Sequence, residues 1–156
     1  FGCVQSPINA YMLNLGLESL HVRMARHCEN GQAVAEFLAS HPKIAYVNYC
    51  GLPGDKYHAV AEKYLPNGSC GVVSFGVKGG REAAAAFMGH LKIAAIETHV
   101  ADARTCCLNP ACSTHRQMND EQLIAAGVQP DLVRMSCGLE DKNDLIHDIA
   151  QALDQI

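Results

Sequence analysis

Apolar side chains recur every three or four residues from Ile8 through Met12, Leu15, Leu20 and Met24, and again at Val34, Phe37 and Leu38. That spacing predicts a helix, or two consecutive ones, with one face turned to a core. Ser6 followed by Pro7 suits its start, with the hydroxyl as N-cap and the proline ring at the first helical position. His41-Pro42 stops it, and Gly16 and Gly31 mark the places where a bend is expected. The period then shortens. Residues Ile44 to Tyr49 are β-branched and aromatic and predict a strand, and a turn cluster over 50–55 leads to a short helix from about Lys56 to Tyr64. Pro66-Asn67-Gly68 breaks that helix. Gly71 to Val77 reads as a buried strand closed by Lys78-Gly79-Gly80. The alanine-rich run from Glu82 to Leu91 has high helix propensity. Ile93 to Ile96 and Cys106 to Leu108 predict two further short strands. A short helix opens at Asn119-Asp120-Glu121 and ends at Ala126-Gly127, and Leu132 to Ser136 forms the last strand. Asp141 or Asn143 caps a closing amphipathic helix whose apolar residues are Leu145, Ile149, Ala152 and Leu153. The fold class expected is α/β, an α+β two-layer sandwich in which helices cover one face of a small, mostly antiparallel sheet.

A chain of 156 residues that is 49% apolar can bury one substantial core. The net charge of −4 is mild and no basic stripe interleaves with aromatic residues, so nucleic acid is not an expected partner. Apolar runs such as Ile93 to Ile96 are too short to cross a bilayer and no secretory signal opens the sequence, so a soluble, cytoplasmic protein without a membrane partner is expected. The eight cysteines contain no C-x-x-C pair of the kind that brings two thiolates to one zinc ion. Most of them sit in apolar contexts and read as reduced, buried thiols. Cys112 and His115 share one short segment and amount to half of a metal site, so no metal ligand set is assigned. Gly79-Gly80 fits neither phosphate-loop nor dinucleotide fingerprints and reads as a turn before a helix.

Chemistry concentrates in a few places. Arg134 interrupts an otherwise apolar strand, where a guanidinium must be paired. Its rigid fork suits either a carboxylate ligand or an internal ion pair with Glu140 or Asp141. The stretch from Asn109 to Gln117 carries hydroxyl, imidazole and guanidinium groups that no core needs. Ser113, Thr114 and His115 lie too close in sequence to form a nucleophile and base with an acidic orienter. His99 and Asp102 flank a strand end and could line a cleft or satisfy backbone groups there. These residues alone leave function open.

Two long runs narrow it. Glu97-Thr98-His99-Val100-Ala101-Asp102-Ala103-Arg104-Thr105-Cys106, followed by Asn109-Pro110-Ala111-Cys112-Ser113-Thr114-His115-Arg116-Gln117, resemble the pyridoxal phosphate (PLP)-dependent enzymes of cysteine and methionine metabolism. Gly51-Leu52-Pro53, Gly71-Val72-Val73-Ser74-Phe75, Gly79-Gly80 and Leu132-Val133-Arg134-Met135-Ser136-Cys137-Gly138-Leu139-Glu140 match further landmarks of that family in order. The Thr-His-Val-Ala-Asp-Ala-Arg wording is most similar to O-acetylhomoserine sulfhydrylases. The resemblance implies the C-terminal domain of a fold type I PLP enzyme. Residues 1–40 would then be a helical segment bridging from a large PLP-binding domain, and 41–156 the small α/β domain. It implies that Arg134 binds the substrate α-carboxylate, that His99, Val100 and Ala101 line the same pocket, and that Ser113 and Thr114 lie near it. Relatives carry histidine where Asn109 stands and Ser-Thr-Thr where Cys112-Ser113-Thr114 stands.

No residue of the chain is assigned a catalytic or cofactor-binding role. Lys43, Lys56, Lys63, Lys78, Lys92 and Lys142 all fall in turns or on helix surfaces, so the Schiff-base lysine and the PLP are expected on another domain, and the chain by itself is expected to be inactive. The reaction implied is γ-replacement, in which sulfide or methanethiol displaces acetate from O-acetylhomoserine to give homocysteine or methionine, in a homotetramer. The rival readings are a methionine or cystathionine γ-lyase-type enzyme, a non-catalytic α/β oligomerisation domain, and a metal-binding module built on Cys112 and His115.

Overall fold

The computed structural model describes residues 2–156; Phe1, the first residue of the segment assigned to 1–40, lies outside them. Helix α1 spans Pro7–Glu18 and α2 spans Leu20–Ser40. Ser6 caps α1 as its sequence predicts, its hydroxyl accepting from the Asn9 N–H at 3.3 Å. The break falls at Ser19, not at a glycine. Gly31 stays helical because α2 crosses the sheet so closely there that a Cβ would sit 2.5 Å from the Cys70 carbonyl oxygen. The glycine serves close approach and not bending.

Five strands follow: β1 (Ile44–Asn48), β2 (Val72–Val77), β3 (Ala95–Ile96), β4 (Cys106–Leu108) and β5 (Leu132–Ser136). They form one sheet in the order β1-β2-β5-β4-β3, antiparallel except for the β3–β4 pair. Helices α3 (His58–Tyr64), α4 (Gly80–His90), α5 (Asp120–Ala125) and α6 (Lys142–Asp154) complete the chain. Asp141 is the N-cap of α6, accepting from the Asn143 N–H at 2.8 Å. The mostly antiparallel α/β sandwich expected from the alternation of periods is what the chain builds.

The central register decides what each sheet face carries. Val73 pairs with Met135 and Phe75 with Val133, all fully buried, and α2, α4 and α6 pack on that face. Phe75 meets Phe87 of α4 edge to face, with centroids 5.8 Å apart at 80°, an arrangement that adds about 1 kcal/mol to burial alone. The intervening partners, Val72 with Ser136, Ser74 with Arg134 and Gly76 with Leu132, point to the opposite face, which no long helix covers. Cys107 joins the core, so its neighbour Cys106, the cross-strand partner of Ser136, points to the open face too.

Two local differences have physical causes. Strand β3 is shorter than the four residues its composition predicts, because the buried Asp148 carboxylate accepts the N–H groups of Lys92, Ile93 and Ala94 at 2.7, 2.9 and 3.1 Å and draws them off the ladder. Helix α1 follows the apolar period of its sequence yet buries nothing. It rests on α2 and leaves Ile8, Tyr11, Met12, Leu13 and Leu17 exposed. Among the described residues no helix is long and apolar enough to cross a membrane.

Candidate functional site

On the open face, two side chains of β5 grip one turn. Arg134 donates through Nη2 to the Thr98 carbonyl at 2.9 Å, and Ser136 accepts the Ala101 N–H on its hydroxyl at 3.0 Å. Residues two apart on a strand share a face, so the alternation of β5 itself aims both at residues 98–101. Ala101 takes a left-handed backbone, with φ of 59°, as no other non-glycine residue does among those described. That conformation costs a β-carbon-bearing residue about 1–2 kcal/mol, and the Ser136 bond helps to hold it. His99 and Val100 are exposed on the same turn.

Charge gathers beside it. His99 Nδ1 lies 3.1 Å from Glu97 Oε2 and 3.3 Å from Asp102 Oδ2. Arg104 reaches both Glu97 oxygens with Nη2, at 3.1 and 3.2 Å. Asp102 also accepts the Arg104 backbone N–H at 3.0 Å; that bond above all, with His99 and Arg104 adding to it, holds its carboxyl below the usual range.

The internal ion pair weighed for Arg134 is not formed. Glu140 is taken by the Thr105 N–H at 2.6 Å and the Thr105 hydroxyl at 2.8 Å, and Asp141 is occupied at the start of α6. Among the described residues no carboxylate lies within ion-pair distance of Arg134, which is half-buried and uses only one guanidinium nitrogen, on a neutral carbonyl. A guanidinium in that setting can still bind a carboxylate with its fork.

The polar stretch after β4 is rooted beside Arg134, since Leu108 is its cross-strand partner. Its hydroxyls are engaged locally. Ser113 donates to the Asn109 carbonyl at 2.6 Å, and Thr114 Oγ1 lies 2.9 Å from His115 Nδ1, so these adjacent side chains do meet. No carboxylate orients His115 among the described residues, and neither Ser113 nor Thr114 bonds Arg134 or the 98–101 turn. Asn109 is buried and structural, donating to the Pro130 carbonyl and accepting the Cys112 N–H at 3.0 and 2.8 Å. Among the described residues Cys112 and His115 are not drawn together with other ligating groups.

Residue-type reasoning missed His27, Asn30 and Ser136. His27 Nδ1–H donates to the Cys137 carbonyl at 2.6 Å, and Asn30 donates to the carbonyls of Gly138 and Glu140, both at 2.9 Å. These bonds lock α2 to the end of β5. They leave His27 Nε2 and Asn30 Oδ1, both buried, without a partner among the described residues. His27 also lines a 180 Å³ cavity together with Val72, Val100, Ala101 and Ser136. A signal was present: positions 27, 30, 34 and 38 trace one face of α2, and two of them are polar where core is expected.

Residues 1–154 match the family model of the Cys/Met metabolism PLP-dependent enzymes. The chain belongs to that family. It is 44% identical over 149 residues to a homocysteine synthase of Schizosaccharomyces pombe, an alignment covering 96% of this chain and 35% of that protein. With an O-acetyl-L-homoserine sulfhydrylase of Leptospira meyeri the identity is 43%, over 97% of this chain and 34% of the relative. An L-methionine gamma-lyase of Fusobacterium nucleatum subsp. polymorphum is 38% identical, over 99% and 39%. A crystal structure of a putative O-acetylhomoserine (thiol)-lyase from Campylobacter jejuni superposes with a TM-score of 0.89 at 37% identity, over 98% of this chain and 36% of its own. It carries N'-pyridoxyl-lysine-5'-monophosphate. The chain thus spans about a third of the length of these Cys/Met metabolism relatives.

The family is PLP-dependent, and the residues of this chain fit the substrate side of such a pocket and not the Schiff-base side. Lys43 donates to the carbonyls of Leu153 and Ile156, Lys78 to that of Pro42 and Lys142 to Glu29; Lys56 and Lys63 lie over the rings of Tyr57 and Tyr64, and Lys92 lines a hollow with Asp144 and His147 of α6. None of these partners belongs to the Arg134 face.

Proposed function

We propose that this chain is the C-terminal domain of an O-acetylhomoserine sulfhydrylase and that Arg134 holds the α-carboxylate of the amino acid substrate. The observation that carries this reading is a half-buried guanidinium on the open sheet face, without an acidic partner among the described residues, beside a turn held by the same strand. Sulfhydrylases among the relatives support the replacement chemistry, in which sulfide or methanethiol displaces acetate from O-acetylhomoserine. The exposed apolar face of α1 supports residues 1–40 as the bridge to a large domain that brings the lysine and the PLP, in an assembly of four copies.

When bound, PLP supplies the electron sink for cleavage of bonds around the substrate amino group. The chain's own contribution is positioning. Two N–H···O bonds from the Arg134 fork fix the carboxylate and so the rotation of the substrate about its Cα. The Thr98 carbonyl steadies the guanidinium from the side, and Ser136 keeps the 98–101 turn over it. His99, Val100 and Ala101 then form the wall that the substrate side chain meets, with Ser113 and Thr114 farther along the β4 end.

Arg134→Ala in the full-length enzyme removes about 3 kcal/mol of charge-assisted hydrogen bonding, ~100-fold in kcat/KM, expressed mainly as a higher KM. Arg134→Lys, which keeps the charge and loses the fork, falls between the two. Unchanged kinetics for Arg134→Ala would overturn the assignment. Product analysis separates replacement from the elimination that a γ-lyase carries out: homocysteine formed from O-acetylhomoserine only when sulfide is supplied supports the reading, and 2-oxobutanoate as the main product in its presence refutes it.

A further inference from the structure

We propose that Glu97, His99 and Cys106 form a zinc site on the open face of the sheet, binding the ion through Glu97 Oε2, His99 Nδ1 and the Cys106 thiolate and leaving a fourth position open. These three atoms all lie within 4.8 Å of one another, the one such group of ligating side chains among the described residues. Two of the three separations match a tetrahedral site, and the third stays within 4.8 Å. Zn–N and Zn–O bonds of about 2.0–2.1 Å and a Zn–S bond of about 2.3 Å at tetrahedral angles place N and O roughly 3.3 Å apart and S and O roughly 3.5 Å apart. Here Nδ1 to Oε2 is 3.1 Å and Sγ to Oε2 is 3.7 Å.

The backbone holds two of the ligands in place before any ion arrives. Glu97 follows β3 directly, and its N–H donates to the Cys107 carbonyl at 3.1 Å. The parallel β3–β4 ladder therefore fixes the spacing of Glu97 and Cys106. Cys106 is buried at the inner end of the site, and His99 closes it from the turn that carries the left-handed Ala101. An imidazole, a thiol and a carboxylate together are the nitrogen, sulfur and oxygen donors that zinc accepts, and three protein ligands with an open fourth position is a pattern zinc adopts. Asp102 Oδ2 lies 3.3 Å from the same imidazole nitrogen but outside the three-ligand group. Arg104 holds the carboxylates together in the absence of the ion. Its side chain is 62% exposed, so it can swing into water when the ion displaces it. Binding releases the Cys106 proton, and the two positive charges of zinc then balance Glu97 and the thiolate.

The test is zinc binding by the full-length protein, stripped with a chelator and titrated by calorimetry, with cobalt substitution as a second readout. One zinc per chain is expected at this site, weakened about 100-fold or more by His99→Gln and by Glu97→Gln. The cobalt form should show a thiolate-to-metal charge-transfer absorption that Cys106→Ser abolishes. His99 is 59% exposed, so His99→Gln leaves the fold intact and tests the site even if Cys106→Ser, inside a strand, destabilises the protein. Zinc affinity unchanged in His99→Gln, or a cobalt–thiolate band that survives Cys106→Ser in folded protein, overturns the proposal.

Discussion

Replacing Asp148 by alanine tests how the short edge strand is held. Its carboxylate is 4% exposed and accepts four hydrogen bonds: from the N–H of Lys92 and the amide of Gln151 on Oδ1, at 2.7 and 3.1 Å, and from the N–H groups of Ile93 and Ala94 on Oδ2, at 2.9 and 3.1 Å. Lys92 and Ile93 are exposed, so their N–H groups turn to water when the carboxylate is gone, at a cost of about 0.5–1 kcal/mol each. Ala94 is buried, and its stranded N–H costs about 1–3 kcal/mol. Asp148→Ala therefore destabilises the protein by roughly 3–4 kcal/mol. Asp148→Asn costs about 2 kcal/mol, because one acceptor oxygen survives while the new NH₂ faces donors. Urea unfolding followed by circular dichroism measures both. A change within about 0.5 kcal/mol for Asp148→Ala would mean that residues 92–94 are already satisfied by water, and the explanation of the truncated β3 would fail.

Gly31→Ala tests the close crossing of α2 over the sheet. The added Cβ lands 2.5 Å from the Cys70 carbonyl and 3.1 Å from the Gly71 Cα, so α2 must lift and the protein loses about 1–3 kcal/mol, against the gain an exposed helical Gly→Ala would bring; a higher melting temperature refutes this packing. The thiols make a separate, pH-dependent prediction. Burial pushes the Cys107 and Cys137 thiols up to about 12, so neither is alkylated by iodoacetamide at pH 8 in the native state, whereas the exposed Cys3 and Cys112 are; mass spectrometry of the labelled peptides decides. Because both folded-state values are raised, the unfolded chain releases these protons first. The stabilisation is complete below the ordinary thiol value of about 8.5 and declines as pH rises from there towards about 12, which a series of urea midpoints from pH 7 to 10 would show.

What could be read from the residues alone follows from which interactions are local. Helix periods, the Ser6-Pro7 start, a cap at Asp141 or Asn143 and the alternation along β5 depend on neighbours within a few positions, so they were legible, and with them the two-layer sandwich. The limits of β3 were not, because the group that shortens it lies about 55 residues away on α6. The same distinction explains the site. Arg134 stood out because a guanidinium among Val133 and Met135 is anomalous in any fold, but whether Glu140 neutralised it depended on Thr105, a residue with no reason to be noticed. His27 shows the converse: a polar residue at a core position of α2 was a local anomaly, yet its partner is a carbonyl 110 positions away. Long-range partners of polar groups, more than the elements themselves, decide which residues are free to act on a ligand. Arg134 keeps unspent hydrogen-bonding capacity on the open face, next to the 98–101 turn, and so its substitution bears directly on function.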